Sequence, residues 1–167
     1  MTVEYHKGEI SFPGGHAEPC DSGPEATALR ETHEEIGVHP ADVEILGLLD
    51  DYITIFGFHI TPVVGIIPYP YPFRMNSETE SIITLPLEYA LADQAWMSEK
   101  TTLKGLAVDI FCIEAAGGFI WGATARMLKQ FAEILAGRPI PTGAMKEAAR
   151  IWITGIISAQ KRYAQKL

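Results

Sequence analysis

An acidic helix directly follows a glycine turn near the start of the chain, and this pairing limits the fold more than any other feature. Pro13-Gly14-Gly15 predicts a turn that ends a short strand expected over residues 9–12. Glu31, Glu34 and Glu35 then stand within five residues of one another. Because like charges so close together repel, they form either a solvated helix face or a site for a cation.

Capping signals set the expected ends of this helix. Ser22 is the predicted N-cap, Pro24 lies in the first turn, and Glu25 is the predicted capping-box partner of Ser22. Ile36 is the last expected helical residue, and Gly37 supplies the C-terminal stop.

The carboxylates of the helix are spaced for metal binding. Glu31 and Glu35 are four residues apart, so they stand one turn above the other. Two such carboxylates form a platform for a hard divalent cation, which favours Mg²⁺ or Mn²⁺ over zinc. Arg30 precedes Glu34 by four residues and can hold that carboxylate by a charge-assisted hydrogen bond.

Composition excludes several classes of function. The 167 residues suit one domain, and the net charge of −8 argues against nonspecific binding to nucleic acid or to an anionic membrane. Cys20 and Cys112 form no spacing pattern, which indicates a reducing compartment, and we expect a cytoplasmic location. The polar start of the chain predicts no signal peptide, and no apolar run is long enough to predict a membrane span.

Strand and helix patterns alternate through the rest of the chain and predict an α/β (α+β) layered domain over residues 1–140. Leu29 and Ile36 of the acidic helix would pack against its mixed sheet. The other predicted elements are strands at 43–49 and 57–69, a strand followed by a short helix within 78–91, a hairpin of strands 108–114 and 118–121, and a helix at 124–135.

The C-terminal segment, residues 141–167, is predicted to be a helical extension. Apolar and small residues recur there at spacings of three and four from Ala148 to Tyr163. This stripe would pack on the domain or join two copies, so we expect a homodimer with Trp152 as an interface anchor.

The stretch from Gly15 to Val38 resembles the Nudix box, G-x5-E-x7-R-E-U-x-E-E-x-G-U, where U is a bulky apolar residue. Three departures occur: Asp21 stands where Glu is usual, eight residues rather than seven separate it from Arg30, and Thr32 replaces an apolar residue. The first two resemble the coenzyme A diphosphatase branch, as does the upstream H-x-G-x-x-x-F-P-G-G pattern over residues 6–15. The resemblance covers residues 5–135 and lacks the N-terminal strand that is usual in the branch.

The resemblance implies an α/β/α sandwich that hydrolyses a nucleoside diphosphate linked to another moiety, with Mg²⁺ or Mn²⁺ as cofactor. It implies that Glu31 and Glu35 are metal ligands, that Glu34 is a further ligand or the base, and that Arg30 orients Glu34. Coenzyme A or an acyl derivative is the leading substrate, yielding 3′,5′-ADP and 4′-phosphopantetheine. The alternatives are another nucleotide, such as ADP-ribose, a dinucleoside polyphosphate or a damaged nucleotide, or a domain that binds nucleotide without turnover.

Other residues complete the predicted site. Glu78 resembles a later glutamate of the branch, with Glu80 as its rival, and a charged loop is the alternative for both. The substrate-binding prediction comprises Gly14, Gly15, Tyr69 and Tyr71, with Phe73 beside them in a proline-rich loop. His33 and His59 are expected to be packed or hydrogen-bonded core histidines, and Trp121 a core or interface residue.

Overall fold

The computed structural model describes residues 9–54, 57–103, 106–116, 118–137 and 156–161. The strands are β1 Gly14–His16, β2 Glu44–Leu48, β3 Tyr52–Ile53, β4 His59–Ile66, β5 Trp96–Leu103, β6 Leu106–Ala115, β7 Gly118–Trp121 and β8 Ile156–Lys161. The helices are α1 Pro24–Ile36, α2 Leu87–Leu91 and α3 Gly122–Ala136, with 3-10 turns at Pro40–Asp42 and Asp93–Ala95.

β4 is the strand around which the layers assemble. The first sheet has the order β1-β8-β4-β2, and β3 also pairs with β4. The β1–β8 pair is parallel and the β8–β4 and β4–β2 pairs are antiparallel, so the sheet is mixed, as predicted. Val63 packs with Ala28 of α1, whereas Ile60 joins a cluster with Ile113 and Leu128. Alternate β4 side chains therefore face α1 on one side of the sheet and α3 with the second sheet on the other.

The second sheet is an antiparallel meander, β5-β6-β7, that leads into α3. The predicted hairpin is confirmed, and the helix predicted from residue 124 begins at Gly122. β5 was not predicted, because Met97 to Thr102 are mostly polar or charged and carry no apolar alternation.

The structure moves the start of α1 and confirms its end. Gly23, not Ser22, is the N-cap, and no side-chain cap is present. Pro24 occupies the first helical turn and restricts the preceding residue to an extended conformation, which places the boundary there. Gly37 has a φ of 72°, the left-handed conformation that favours glycine, and ends the helix as predicted.

The buried side of α1 is less apolar than expected. Ile36 is buried, but Leu29 is only partly buried, and Ala28 and Thr32 fill the face instead. The Thr32 hydroxyl is 3% exposed and donates to the Ala28 carbonyl at 2.8 Å, so a polar residue is tolerated where the box usually has an apolar one.

Two predicted strands are absent from the described residues. Residues 9–12 form no strand, and β1 instead begins at Gly14, inside the predicted turn. The stretch before α2 is also irregular, although its short helix is confirmed. The strands predicted at 43–49 and 57–69 are confirmed as β2 and β4.

The C-terminal helix prediction is wrong over residues 156–161, which form β8. Each β8 residue from Ser158 to Gln160 pairs with both β1 and β4, so the strand fills an inner position of the sheet. Backbone pairing on two sides outweighs the helical spacing of its side chains. The remainder of that prediction, including Trp152, lies outside the described residues.

Candidate active site

The glycines of β1 bring the main chain against the acidic face of α1. A Cβ atom on Gly15 would overlap the Glu31 carboxylate. The Gly14 N–H donates a hydrogen bond to the Glu35 carboxylate. The lack of a side chain at Gly15 therefore allows the close approach of backbone to carboxylate, and the structure brings these four residues together.

Arg30 is the centre of the hydrogen bonding. Its Nε and Nη2 atoms donate to the two oxygens of Asp21 at 3.2 and 3.0 Å. Nη1 donates to Glu31 at 2.9 Å and lies 3.6 Å from Glu34, while Nη2 also donates to the His16 carbonyl at 2.9 Å. The predicted Arg30–Glu34 pair is thus present, but it is the longest of these contacts.

Asp21 is the residue whose importance the sequence prediction missed. Its side chain is 6% exposed and accepts hydrogen bonds from the Thr27 hydroxyl and the Glu18 N–H, each at 2.9 Å, besides those from Arg30. The Arg30 hydrogen bonds, followed by that from Glu18, hold the pKa of Asp21 well below its usual range. The fixed spacing of Asp21 from Arg30 in the box was the sequence signal that could have identified Asp21. The structure explains this spacing, because Asp21 anchors Arg30 through a bidentate contact.

Glu35 lies where carboxylates crowd together. Burial, then the negative charge of Glu31, raises the pKa of Glu35 to about 7, against the lowering effect of the Gly14 hydrogen bond. The charges of Glu78 and Glu34 add to the increase. The site therefore concentrates negative charge that protein groups compensate only in part.

The segment from Arg74 to Thr79 closes the C-terminal end of α1. The Arg74 N–H donates to the Ile36 carbonyl at 3.0 Å, and the Asn76 N–H donates to the Glu35 carbonyl at 3.1 Å. The Thr79 hydroxyl also donates to that Glu35 carbonyl at 3.1 Å. These bonds satisfy helix carbonyls and fix the segment beside the carboxylates.

Glu78 is brought to the cluster by this segment. Its N–H donates to the Asn76 amide oxygen at 2.9 Å, and its carboxylate contributes to the raised pKa of Glu35. Both Glu78 and Glu80 are exposed. The electrostatic contact with Glu35 favours Glu78 as the later carboxylate of the site.

The predicted aromatic residues line a groove of about 390 Å³ that also includes Ile82. Tyr71 and Phe73 contact each other, with ring centroids 5.5 Å apart, and Tyr69 lies at the edge, 43% exposed. The Tyr71 hydroxyl donates to Asp42 at 2.7 Å and accepts from the His39 N–H at 3.0 Å. The Tyr71 hydroxyl therefore already has two hydrogen-bond partners, and its ring is the part that would contact a ligand in the groove.

A second groove, of about 440 Å³, shares the Tyr71 wall and borders the carboxylates; we call it the donor groove. Its polar lining is His33, Glu34, His39, Tyr71, Arg74 and Asn76. The prediction of a core histidine at His33 is wrong, because this side chain is exposed; its ring lies edge-to-face with that of His39, with centroids 5.9 Å apart.

Two further predictions change in the structure. His59 is only partly buried, and its Nε2 atom lies 2.8 Å from an Asp51 oxygen, so it is hydrogen-bonded but not in the core. Trp121 is 53% exposed, which excludes a core role and leaves the interface alternative untested.

The carboxylate chemistry fits a hard divalent ion, although the ligands are not preassembled. Across the described ranges, no three His, Cys, Asp or Glu side chains form a ready metal cluster. Burial, and after it the repulsion between carboxylates, raises the pKa of Glu35, and a bound cation would relieve that repulsion. Glu31, Glu34 and Glu35 are the oxygen donors that could hold Mg²⁺ or Mn²⁺.

The stability of the metal-free protein should fall as pH rises through this window. Glu35 has a pKa of about 7 in the fold against its ordinary value of 4.5, so the folded state binds the proton more tightly. Stability from this group is present below about pH 4.5 and lost by about pH 7.5, at most about 3 kcal/mol. Urea unfolding in EDTA at pH 5 and pH 8 should show a smaller pH effect in Glu35→Gln than in the wild type. An equal pH effect in both proteins would contradict the assignment.

Comparison with known proteins agrees with this arrangement. A family model described as NUDIX domain matches residues 2–109, and the chain therefore belongs to the Nudix family. No helix in the described part of the chain has the length and apolar character to cross a membrane.

Similar curated proteins carry the same family name. The chain is 34% identical over 129 residues to the "Uncharacterized Nudix hydrolase NudL" of Yersinia pestis (strain Pestoides F) and to that of Yersinia pseudotuberculosis (serotype O:1b, strain IP 31758). The match covers 77% of this chain and 65% of each relative, so the chain spans slightly less than two thirds of their length.

Proposed function

We propose that the chain is a metal-dependent Nudix hydrolase that cleaves the diphosphate of a nucleoside diphosphate linked to another moiety. The observation that carries this proposal is the convergence of Glu31 and Glu35 on the Gly14–Gly15 backbone, with Arg30 beside them. Family membership and the hydrolase names of the relatives support the same reaction class.

Each residue has a distinct part in the proposed reaction. Glu31 and Glu35 would hold Mg²⁺ or Mn²⁺, with Glu34 as a further ligand or as the base, and the bound ion would supply positive charge beside the diphosphate and make a water more acidic. Arg30 keeps Glu31 in place through the contact at 2.9 Å. Glu34, with its side chain 55% exposed and 3.6 Å from Arg30, would take a proton from the attacking water in its role as base.

Two other groups would act at the edge of this cluster. Glu78 is the alternative base, because its charge already acts on Glu35. The absence of a side chain at Gly15 lets the Glu31 carboxylate lie directly against the β1 backbone, at the edge of the proposed diphosphate site.

Coenzyme A or an acyl-coenzyme A is the proposed substrate, with 3′,5′-ADP and 4′-phosphopantetheine as products. The feature that supports the coenzyme A branch is Asp21, which stands one residue further from Arg30 than in the general box. Both of its carboxylate oxygens accept hydrogen bonds from Arg30. ADP-ribose, dinucleoside polyphosphates and damaged nucleotides are the alternative substrates. Binding without turnover is the remaining alternative.

A substrate panel tests the proposal. Coenzyme A, acetyl-coenzyme A, ADP-ribose, diadenosine tetraphosphate and 8-oxo-dGTP would each be incubated with Mg²⁺ or Mn²⁺, and the products identified by mass. We expect 3′,5′-ADP from the first two. Cleavage of only one of the other compounds would overturn the assignment of coenzyme A as substrate. If no compound were cleaved, the proposal that the chain is a hydrolase would be overturned.

The homodimer and the cytoplasmic location also stay proposals. The solution mass of the wild type and of Trp152→Ala across a concentration series tests the first. A wild type that remains monomeric throughout would contradict it.

A further inference from the structure

The donor groove collects hydrogen-bond donors beside a site that is otherwise acidic. Arg74 makes no ion pair among the residues that the structure describes, and its side chain is exposed at the groove. The chain as a whole has a net charge of −8, so an exposed guanidinium that lines the same groove as Glu34 without pairing with it stands out from its acidic surroundings.

Two other polar groups of the groove, on Asn76 and His39, are also donors. The Asn76 amide oxygen accepts from the N–H groups of Glu78 and Thr79 at 2.9 and 3.1 Å, which leaves its amino group to face a ligand. His39 accepts the Ala41 N–H at Nδ1, 3.1 Å away, so its neutral ring carries the proton on Nε2. Only Glu34 adds a negative charge to the polar lining defined above.

The main chain holds Arg74 at a fixed position. Its N–H donates to Ile36 at 3.0 Å, and a Cβ atom on Gly37 would lie 2.8 Å from the Arg74 Cβ. The helix end and the arginine are therefore packed together, while the guanidinium itself is left for a ligand. A substrate whose diphosphate lies at Glu31 and Glu35 would extend past Glu34 into this groove.

We infer that the donor groove binds a phosphate of the substrate other than the two that are cleaved apart, with Arg74 as the specificity-determining residue. This inference rests on the proposed function, because it takes the carboxylate cluster as the diphosphate site. A phosphate monoester fits the groove since guanidinium and amide donors match its oxygens, and the positive charge of Arg74 opposes the repulsion from Glu34. In coenzyme A, the group of this chemistry is the 3′-phosphate.

The test compares ligands that differ by this phosphate alone. In turnover measurements, Arg74→Gln should raise KM for coenzyme A about tenfold with little change in kcat. The KM and kcat for dephospho-coenzyme A should stay unchanged. Lys100→Gln, which removes one exposed charge from β5, is the matched control and should change neither. Arg74→Lys should retain part of the discrimination.

A binding measurement separates failure of this inference from failure of the proposed enzyme. By calorimetry, the wild type should bind 3′,5′-ADP about tenfold more tightly than 5′-AMP, and Arg74→Gln should bind the two equally. If the wild type shows this binding difference but no turnover, the phosphate site in the donor groove is supported and the proposed hydrolase activity is overturned. Equal binding of both ligands by the wild type, or unchanged discrimination in Arg74→Gln, would overturn the proposed phosphate site, whether or not the protein turns over substrate.

Discussion

Glu35→Gln should abolish most of the metal-dependent hydrolysis while leaving the protein folded. The amide has almost the size of the carboxylate but lacks the charge that a divalent ion needs. We expect kcat to fall by about three orders of magnitude, which corresponds to about 4 kcal/mol of transition-state stabilisation. Turnover of the preferred substrate in saturating Mg²⁺ measures the effect.

Stability distinguishes this loss from unfolding. Glu35 is crowded by Glu31, Glu34 and Glu78, so removing its charge should leave thermal stability in EDTA unchanged or higher at pH 8. Glu133→Gln, an exposed glutamate on α3, is the matched control and should keep full activity. A folded Glu35→Gln protein with wild-type turnover would show that the site lies elsewhere.

A proline in β8 should have the largest effect on the fold. Ala159 pairs with Gly15 on one side and Thr61 on the other, so Ala159→Pro removes an N–H from a strand inside the sheet. We expect a loss of about 2–4 kcal/mol in the free energy of unfolding, measured by urea denaturation.

Activity should fall with that substitution even under conditions where the variant is folded. β8 supports β1, whose Gly14 N–H binds Glu35 and whose His16 carbonyl binds Arg30. Ala159→Ser keeps the N–H and is the control, expected to retain stability and turnover. If the proline variant matched the wild type in both measurements, β8 would not be part of the sheet in solution.

The acidic helix could be predicted because its signals are local. Gly37 must adopt a left-handed conformation, and the offsets of Arg30, Glu31 and Glu35 follow from the helical repeat. Ser22 failed as a cap because two adjacent signals competed, and the restriction imposed by Pro24 decided between them.

The sheet could be predicted only where strands carry their own pattern. β4 is apolar and buried, so its existence was evident, whereas β5 is polar and depends on its pairing with β6. β8 has helical spacing in its sequence but takes its conformation from two neighbouring strands. Pairing between distant segments cannot be derived from local periodicity.

Within the site, the contacts between side chains joined by loops could not be predicted from the sequence. Asp21 and Arg30 are nine residues apart, and only the folded loop shows their bidentate contact. The donor groove brings His33 of α1 together with Arg74, which lies far along the chain. Neither residue belongs to a pattern that would have indicated this meeting.

Binding of Mn²⁺ tests most directly whether the glutamates of α1 form the metal site. Free Mn²⁺ would be measured by electron paramagnetic resonance during titration of the wild type, the double variant Glu31→Gln/Glu35→Gln and the control Glu133→Gln. The wild type and Glu133→Gln should bind Mn²⁺ with the same affinity, and the double variant should bind at least about a hundredfold more weakly. Equal Mn²⁺ binding by a folded double variant would contradict the assignment of the metal to this helix.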